Sequence, residues 1–169
     1  ERPGHLRLHG SAAGLDDKAS PAWVGRRQRH FSLRASTSLE FKPEIEKKEA
    51  GLTVRMNERH HYEIFVTRRK GQPSVVLRRR IGSLQAEVAC QALPSGGASR
   101  FVLAVEAEPQ RYRFLAGPSE EGLEVLGEGE TRYLSTEVAG GFTGVYLAMY
   151  ATGNGSPCRS PADFDWFEY

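Results

Sequence analysis

The chain has 169 residues, of which 39% are hydrophobic and 26% charged, and this is the composition of a folded globular protein with one substantial core. Its 23 Lys and Arg nearly balance 21 Asp and Glu, so the formal charge is only +2. That balance argues against a nucleic-acid partner, which would require phosphate neutralisation. The longest apolar stretches, such as residues 145–149, are far shorter than the roughly 20 residues of a membrane helix, so no membrane partner is predicted.

The cysteines and the first residues of the chain narrow the possible classes of protein further. Cys90 and Cys158 lie too far apart for a metal-ligand spacing or a disulfide framework, and they are predicted to be free thiols. Residues 1–5 contain neither an initiating methionine nor the apolar region of a secretory signal. The chain therefore looks excised from a longer protein, and its location is left open, with a bacterial cytoplasm favoured.

Period-two alternation of apolar and polar residues runs through the chain and predicts half-buried strands. The pattern is clearest at residues 31–39 and 62–67. In chain order, the predicted strands cover residues 5–9, 31–39, 51–57, 62–67, 74–81, 85–92, 100–108, 111–115, 123–126, 142–151 and 162–169. Residues 11–29 show little periodicity and are predicted to form a long connection, with a helical turn at residues 20–24.

Glycine- and proline-rich turns separate these strands. They lie at residues 70–73, 94–97, 108–110, 117–118 and 153–157. Many short strands without interleaved helices predict an all-β protein, an antiparallel β-sandwich or jelly roll formed by residues 1–169 as one domain. A closed barrel is the alternative architecture.

Several side chains admit both a functional and a structural interpretation. Trp23 and Tyr62 suit either a sugar-stacking platform or a core position. Adjacent His60 and His61 point to opposite faces of a strand, so they cannot bind one zinc ion together. The basic runs 68–70 and 78–80 are predicted to lie beside each other on a hairpin, where they are either solvated or face an acidic surface.

Asp163 and Asp165 alternate with Phe164 in the last predicted strand, so both carboxylates are predicted to share one face. Carboxylate oxygens are the ligands that calcium prefers, and a structural calcium ion is one interpretation of the pair. Calcium usually takes six to eight oxygens, however, and a hydrogen-bonded or solvated polar face is the other interpretation. No other cofactor is required by the sequence.

Four stretches of the chain match, in order, a known family of domains. They are residues 2–8 (RPGHLRL), 50–54 (AGLTV), 141–144 (GFTG) and 162–169 (ADFDWFEY). In these the chain resembles the C-terminal concanavalin A-like β-sandwich of glycoside hydrolase family 43 β-xylosidases and α-L-arabinofuranosidases. The resemblance implies a parent hydrolase in which an N-terminal five-bladed β-propeller carries the catalytic carboxylates. It therefore assigns no catalytic residue to this chain.

Phe142 is the candidate functional residue. Gly140, Gly141 and Gly144 surround it, and they permit turn conformations from which an aromatic ring can project. In the resembling xylosidases a phenylalanine at this motif reaches the propeller and helps to wall the active-site pocket. The structural alternative is that Phe142 begins a core strand.

Two hypotheses from different classes follow. In the first, the chain is an accessory domain for hemicellulose degradation that buttresses the propeller, contributes Phe142 to the pocket wall and meets xylo- or arabino-oligosaccharides. In the second, it is an independent carbohydrate-binding module for xylan-type polysaccharides, because lectin-like sandwiches can hold sugars on a sheet. Binding of xylo-oligosaccharides without any propeller would distinguish the second hypothesis from the first.

Overall fold

The computed structural model of the protein describes residues 2–19, 21–93, 100–141 and 144–169. Twelve strands of this part of the chain form two six-stranded sheets, and every strand pair is antiparallel. The strands are β1 (Leu6–Leu8), β2 (Ala22–Arg27), β3 (Leu33–Glu40), β4 (Glu49–Asn57), β5 (His60–Arg69), β6 (Gln72–Ile81), β7 (Leu84–Ala92), β8 (Arg100–Ala107), β9 (Arg111–Gly117), β10 (Glu124–Glu130), β11 (Tyr146–Thr152) and β12 (Ala162–Glu168). The predicted all-β sandwich is confirmed.

The first sheet has the order β1-β12-β3-β8-β9-β10, and the second has the order β2-β11-β4-β5-β6-β7. A 3₁₀ turn at Thr131–Leu134 and a single helical turn, α1 (Thr136–Ala139), connect β10 to β11. Within the described residues, no helix has the length and apolar character needed to cross a membrane.

The main core lies between the two sheets, where period-two alternation points one face of each strand inward. Leu103 and Phe114 of the first sheet and Ile64 and Leu77 of the second have no exposed surface. Burying each side chain of this size stabilises the fold by roughly 1.5–3 kcal/mol. Tyr62 belongs to the same core and is fully buried, which confirms its core interpretation.

A second, smaller cluster lies on the outer face of the second sheet. Leu15, Phe65, Val76 and Tyr150 are buried there, and the half-buried Trp23 packs against them. The cluster is buried because the connection before β2 lies over this face, with Ser11 bridging to Thr152 of β11. The second sheet is therefore apolar on both faces over part of its width.

The prediction for residues 11–29 was wrong in two respects. The segment contains a strand, β2, and Ala22–Val24 belong to that strand instead of to a helical turn. β2 pairs along its whole length with β11, from Ala22 opposite Ala151 to Arg27 opposite Tyr146. The sequence hid this strand because its exposed second half, Gly25–Arg27, shows no apolar alternation.

Candidate functional site

The candidate site is one end of the sandwich, which we call the loop end. It comprises residues 28–32, 57–60, 82–83, 108–110, 131–141 and 144–145. The strand registers place these connections together, since the last residue of β2 and the start of β11 lie beside the end of β4. Hydrogen bonds also join neighbouring connections: Gly82 N donates to Arg59 O at 2.8 Å, and Thr131 N donates to Gln110 O at 3.1 Å.

The glycines around residue 142 have the backbone conformations that the sequence predicted. Gly140, Gly141 and Gly144 have φ values of 74°, 84° and 68°. Side chains rarely adopt such left-handed values, so glycine is the residue of choice at all three positions. Phe142 itself lies outside the described residues, and its pocket-wall role stays a prediction.

The segment that leads to these glycines is fixed to the sandwich at several points. Leu134 is buried in the main core, and Asn57 donates its side-chain amide to Ala139 O at 2.9 Å. On the far side, Gln28 N donates to Val145 O at 3.0 Å. The connection from residue 131 to residue 141 is thus anchored to β4 and to the core.

The same loop end exposes an aromatic ring that the sequence analysis did not single out. Phe31, between β2 and β3, is 79% exposed, and Val138 of α1 is 48% exposed. The connection that carries Phe31 is held in place, because Arg29 N donates to the Tyr169 hydroxyl at 2.7 Å and the Tyr112 hydroxyl donates to Gln28 at 2.9 Å. Burial raises the pKa of Tyr112 to about 12, so this hydroxyl remains a donor at neutral pH.

A cavity of about 250 Å³ opens beside the start of the connection 131–141. Its lining residues combine aromatic, charged and apolar groups: Tyr62, Arg79, Ile81, Arg111, Glu128, Gly129, Glu130 and Tyr133. The Tyr62 hydroxyl donates to Glu130 O at 2.8 Å, and burial raises the pKa of Tyr62. Gly129 is required where it lies, because a Cβ atom there would approach the Tyr62 ring to 2.6 Å.

An ion-pair network borders the cavity. Arg111 Nε donates to Glu108 at 2.8 Å, and Arg113 donates to the other Glu108 oxygen at 2.6 Å. The hydrogen bond from Arg111 lowers the pKa of Glu108. Arg111 and Arg113 also lie 3.6 Å from Glu128, so the two arginines share their carboxylate partners.

The two aspartates proposed as calcium ligands pair with basic side chains. Asp163 accepts two hydrogen bonds from Arg7, at 2.7 and 2.8 Å, and a longer one from Arg2 at 3.4 Å. These hydrogen bonds, that from Arg7 above all, lower the pKa of Asp163. Asp165 pairs with Arg100 and lies 3.8 Å from His5 Nε2. Guanidinium groups thus occupy carboxylate oxygens that calcium would need, and the calcium prediction itself remains untested.

A buried charge cluster on the outer face of the second sheet escaped the sequence analysis. Arg78 donates two hydrogen bonds to Glu49 and two to Glu63, all between 2.7 and 3.0 Å, and the Tyr150 hydroxyl donates to Glu63 at 2.6 Å. Burial opposes ionisation of Glu63, but the charge of Arg78 and the ring of His61 hold its pKa below the usual range. The only sequence signal was the presence of charged residues in the middle of otherwise apolar strands.

The predicted proximity of the two basic runs was wrong. Both lie on the β5–β6 hairpin, but Arg68 pairs with Pro73 beside the turn, whereas Arg80 pairs with His61 at the other end. Arg78 is committed to the buried cluster, and Arg69 pairs with Glu87. The runs therefore form no continuous basic surface.

The other residues that the sequence singled out differ in burial and in their contacts. His61 is fully buried on the outer face, whereas His60 is half-buried. Trp23 stacks edge-on against Tyr146, with ring centroids 5.4 Å apart. Cys90 and Cys158 are free, as predicted. Within the described ranges, no cluster of three or more His, Cys, Asp and Glu side chains is arranged to hold a metal ion.

Two stacked antiparallel sheets of this topology define a concanavalin A-like β-sandwich. The chain belongs to the family of β-xylosidase C-terminal concanavalin A-like domains of glycoside hydrolase family 43, whose match covers residues 1–169. The resemblance seen in the sequence is confirmed.

Two relatives of the chain carry the names of an α-L-arabinofuranosidase and a β-xylosidase. The chain is 40% identical over 169 residues to the non-reducing end α-L-arabinofuranosidase BoGH43B of Bacteroides ovatus, covering all of this chain and 31% of that protein. It is 30% identical over 177 residues to a putative β-xylosidase of Escherichia coli, covering 99% of this chain and 32% of that protein. The chain thus spans about a third of the curated relatives that it matches.

Solved structures agree with the fold. The Bacteroides ovatus xyloglucan-locus GH43B superposes with a TM-score of 0.93 at 40% identity, covering 99% of this chain and 33% of that one. A xylan β-1,4-xylosidase from Bacillus halodurans gives a TM-score of 0.89 at 26% identity, again covering 99% and 33%. In each relative, most of the protein lies outside the region matched here.

Proposed function

We propose that this chain is the accessory C-terminal sandwich of a family 43 β-xylosidase or α-L-arabinofuranosidase that degrades hemicellulose. In this proposal it buttresses a catalytic β-propeller of the same parent chain, and the propeller supplies the general acid and base. The relatives that carry these enzyme names are about three times as long as the matched region, which leaves room for such a domain.

The observation that carries the proposal is the anchored, partly apolar loop end. Phe31 and Val138 expose apolar surface on connections that are tied to the body of the sandwich. Apolar side chains that are left exposed at one end of a domain suit contact with a neighbouring domain. We assign this surface to contact with the propeller.

In the same proposal Phe142 completes the active-site wall. The left-handed glycines on both sides of it allow a tight excursion of the backbone toward a neighbouring domain. An aromatic ring at that place would exclude water and offer an apolar face to the sugar. It would also limit the pocket to small substrates that are cleaved from a chain end.

The first experiment compares the 169-residue chain with its full-length parent on aryl β-xyloside and aryl α-L-arabinofuranoside. We expect turnover by the parent protein and none by the chain alone. Turnover by the purified chain that survives Phe142→Ala would contradict the accessory role.

A second experiment tests Phe142 in the full-length protein. Phe142→Ala is expected to lower kcat/KM on the aryl glycosides by on the order of tenfold, because an apolar contact with the sugar is lost. Ile45→Ala is the matched control, since Ile45 is 53% exposed but lies in the connection at the opposite end of the sandwich. Equal activity of both variants and the unmodified protein would remove Phe142 from the pocket wall.

A further inference from the structure

The cavity beside residues 131–141 has features of a binding site in its own right. One lining residue, Tyr133, belongs to the connection that leads to the glycine-flanked Phe142, and Glu130 is the last residue of β10, directly before that connection. Ile81, Arg111 and Glu130 are strand ends, so the cavity lies at the loop end, which the proposed function turns toward the catalytic propeller. We infer that the cavity binds a neutral glycosyl unit of the oligosaccharide substrate beyond the unit that is cleaved, and this inference rests on the proposed function.

The size of the cavity decides how much of a ligand it can hold. Sites for drug-sized ligands usually have volumes of about 300–1,000 Å³. The cavity has about 250 Å³, so it accommodates a single sugar ring and not an extended chain. It is open to solvent, because the side chains of Arg111 and Glu128 on its rim are 45% and 46% exposed. The neighbouring units of an oligosaccharide can therefore continue outside it.

The charges of the cavity favour a neutral ligand. Arg79 and Arg111 are balanced by Glu128 and Glu130 among the lining residues. Arg111 lies 3.6 Å from Glu128, and Glu130 pairs with Arg132 at 2.7 Å. An anionic or cationic ligand would have to displace these partners, whereas sugar hydroxyls can both donate to carboxylates and accept from guanidinium groups.

An unused donor also faces this region. Arg79 donates from its terminal nitrogen to Glu128 O, but its buried Nε has no hydrogen-bond partner among the described residues. A buried donor without a partner is costly, and a ligand oxygen or an ordered water would satisfy it. Tyr133 adds an aromatic ring to the lining, and such rings pack against the apolar faces of sugars.

The test uses the full-length protein and compares substrates of different length. Tyr133→Ala and Arg111→Gln are expected to raise KM for trisaccharides and longer xylo- or arabino-oligosaccharides by on the order of 5- to 10-fold. The effect of both changes on the aryl monoglycosides should be smaller, because these substrates have no second sugar unit to place in the cavity. Tyr133→Phe keeps the ring and should behave as the unmodified protein does.

Arg113→Gln is the matched control, because Arg113 shares the Glu108 and Glu128 partners of Arg111 but does not line the cavity. It should leave KM unchanged for every substrate. Arg111 is exposed, so its variant is expected to fold even if Tyr133→Ala does not.

Calorimetry with thio-linked xylotriose and arabinotriose, which resist hydrolysis, distinguishes the two sources of sugar. Weaker binding of either ligand in both cavity variants, but not in the control, supports the inference. Unchanged KM and binding in both variants overturn it and mean that the cavity holds water only. If the variants and the unmodified protein still cleave the aryl glycosides, the proposed function stands even when the cavity does not bind sugar. If the full-length protein does not cleave the aryl glycosides, the proposed function is contradicted, but the calorimetric result on the cavity remains valid.

Discussion

Asp163 and Asp165 are two residues apart on one strand, yet their surroundings differ. The Asp163 side chain is 9% exposed and receives a bidentate pair of hydrogen bonds from Arg7, whereas that of Asp165 is 32% exposed. Charge-assisted bidentate pairs are stronger than exposed ion pairs, which contribute little to stability. Asp163 is therefore expected to stabilise the fold by joining β1 to β12.

Asp163→Asn is predicted to lower the free energy of unfolding by about 1–2 kcal/mol at neutral pH, and Asp165→Asn by less than about 0.5 kcal/mol. Because Arg7 and Arg2 lower the pKa of Asp163 in the folded state, its contribution is present above the ordinary aspartate pKa. It is lost as the pH falls through the lowered folded-state pKa. Urea unfolding at several pH values measures both effects, and a difference that grew toward acid pH would contradict the assignment.

Phe142 and Tyr133 show which properties of a single residue can be predicted from the sequence and which cannot. The glycine context of Phe142 is visible in the sequence, because left-handed turns favour glycine. Tyr133 offered no such signal, since its place beside the cavity depends on the distant partners Tyr62 and Arg111. Local patterns thus predict backbone conformation better than they predict which side chains meet.

At the scale of elements, the buried charge cluster joins three neighbouring strands. Arg78 of β6 bridges Glu63 of β5 and Glu49 of β4. Both carboxylates are almost fully buried, with 2% and 4% of their side chains exposed. Removal of the arginine would leave two carboxylates in a desolvated place without their counter-charge.

Arg78→Gln is therefore predicted to destabilise the fold by about 3–5 kcal/mol. Arg68→Gln, in β5 beside the turn of the same hairpin, should change stability by less than about 0.5 kcal/mol, because Arg68 has no buried carboxylate partner among the residues that the structure describes. Thermal and denaturant unfolding of the two variants provide the measurement. If both variants had the same stability, the cluster would contribute nothing beyond ordinary surface pairs.

The strands show why the fold was largely predictable. Each of the eleven predicted strands overlaps an observed one, because half-buried strands retain their alternation in the sequence. β2 was missed because its pairing with β11 and the cover over its face are long-range features. The same reason hid the bulges of β12 and β7, where the register shifts against β3 and β6.

At the scale of the whole molecule, the two lateral edges of the second sheet differ in character. β2 ends in Arg26 and Arg27, whereas β7 has Glu87 as its one charged residue and exposes Leu84 and Val88. Within the described part of the chain, no strand pairs with the outer edge of β7. A long edge strand with few charges favours pairing with another chain.

Val88→Lys is predicted to reduce concentration-dependent association of the 169-residue chain, because an edge lysine opposes strand pairing. Val24→Lys serves as the control on the edge that already carries two arginines. Light scattering over a range of concentrations measures the effect. Equal association of both variants would show that the chain does not associate through the β7 edge.

Cys90 lies on this same β7 edge and is exposed, whereas Cys158 is buried and desolvation raises the pKa of its thiol. Thiolates are the reactive form, so a maleimide dye should attach to Cys90 and largely spare Cys158. One fluorophore at a defined position would then report, by quenching or energy transfer, whether another surface comes to rest against that flank of the sandwich. The native sequence thus already carries a labelling handle, with no engineered cysteine needed.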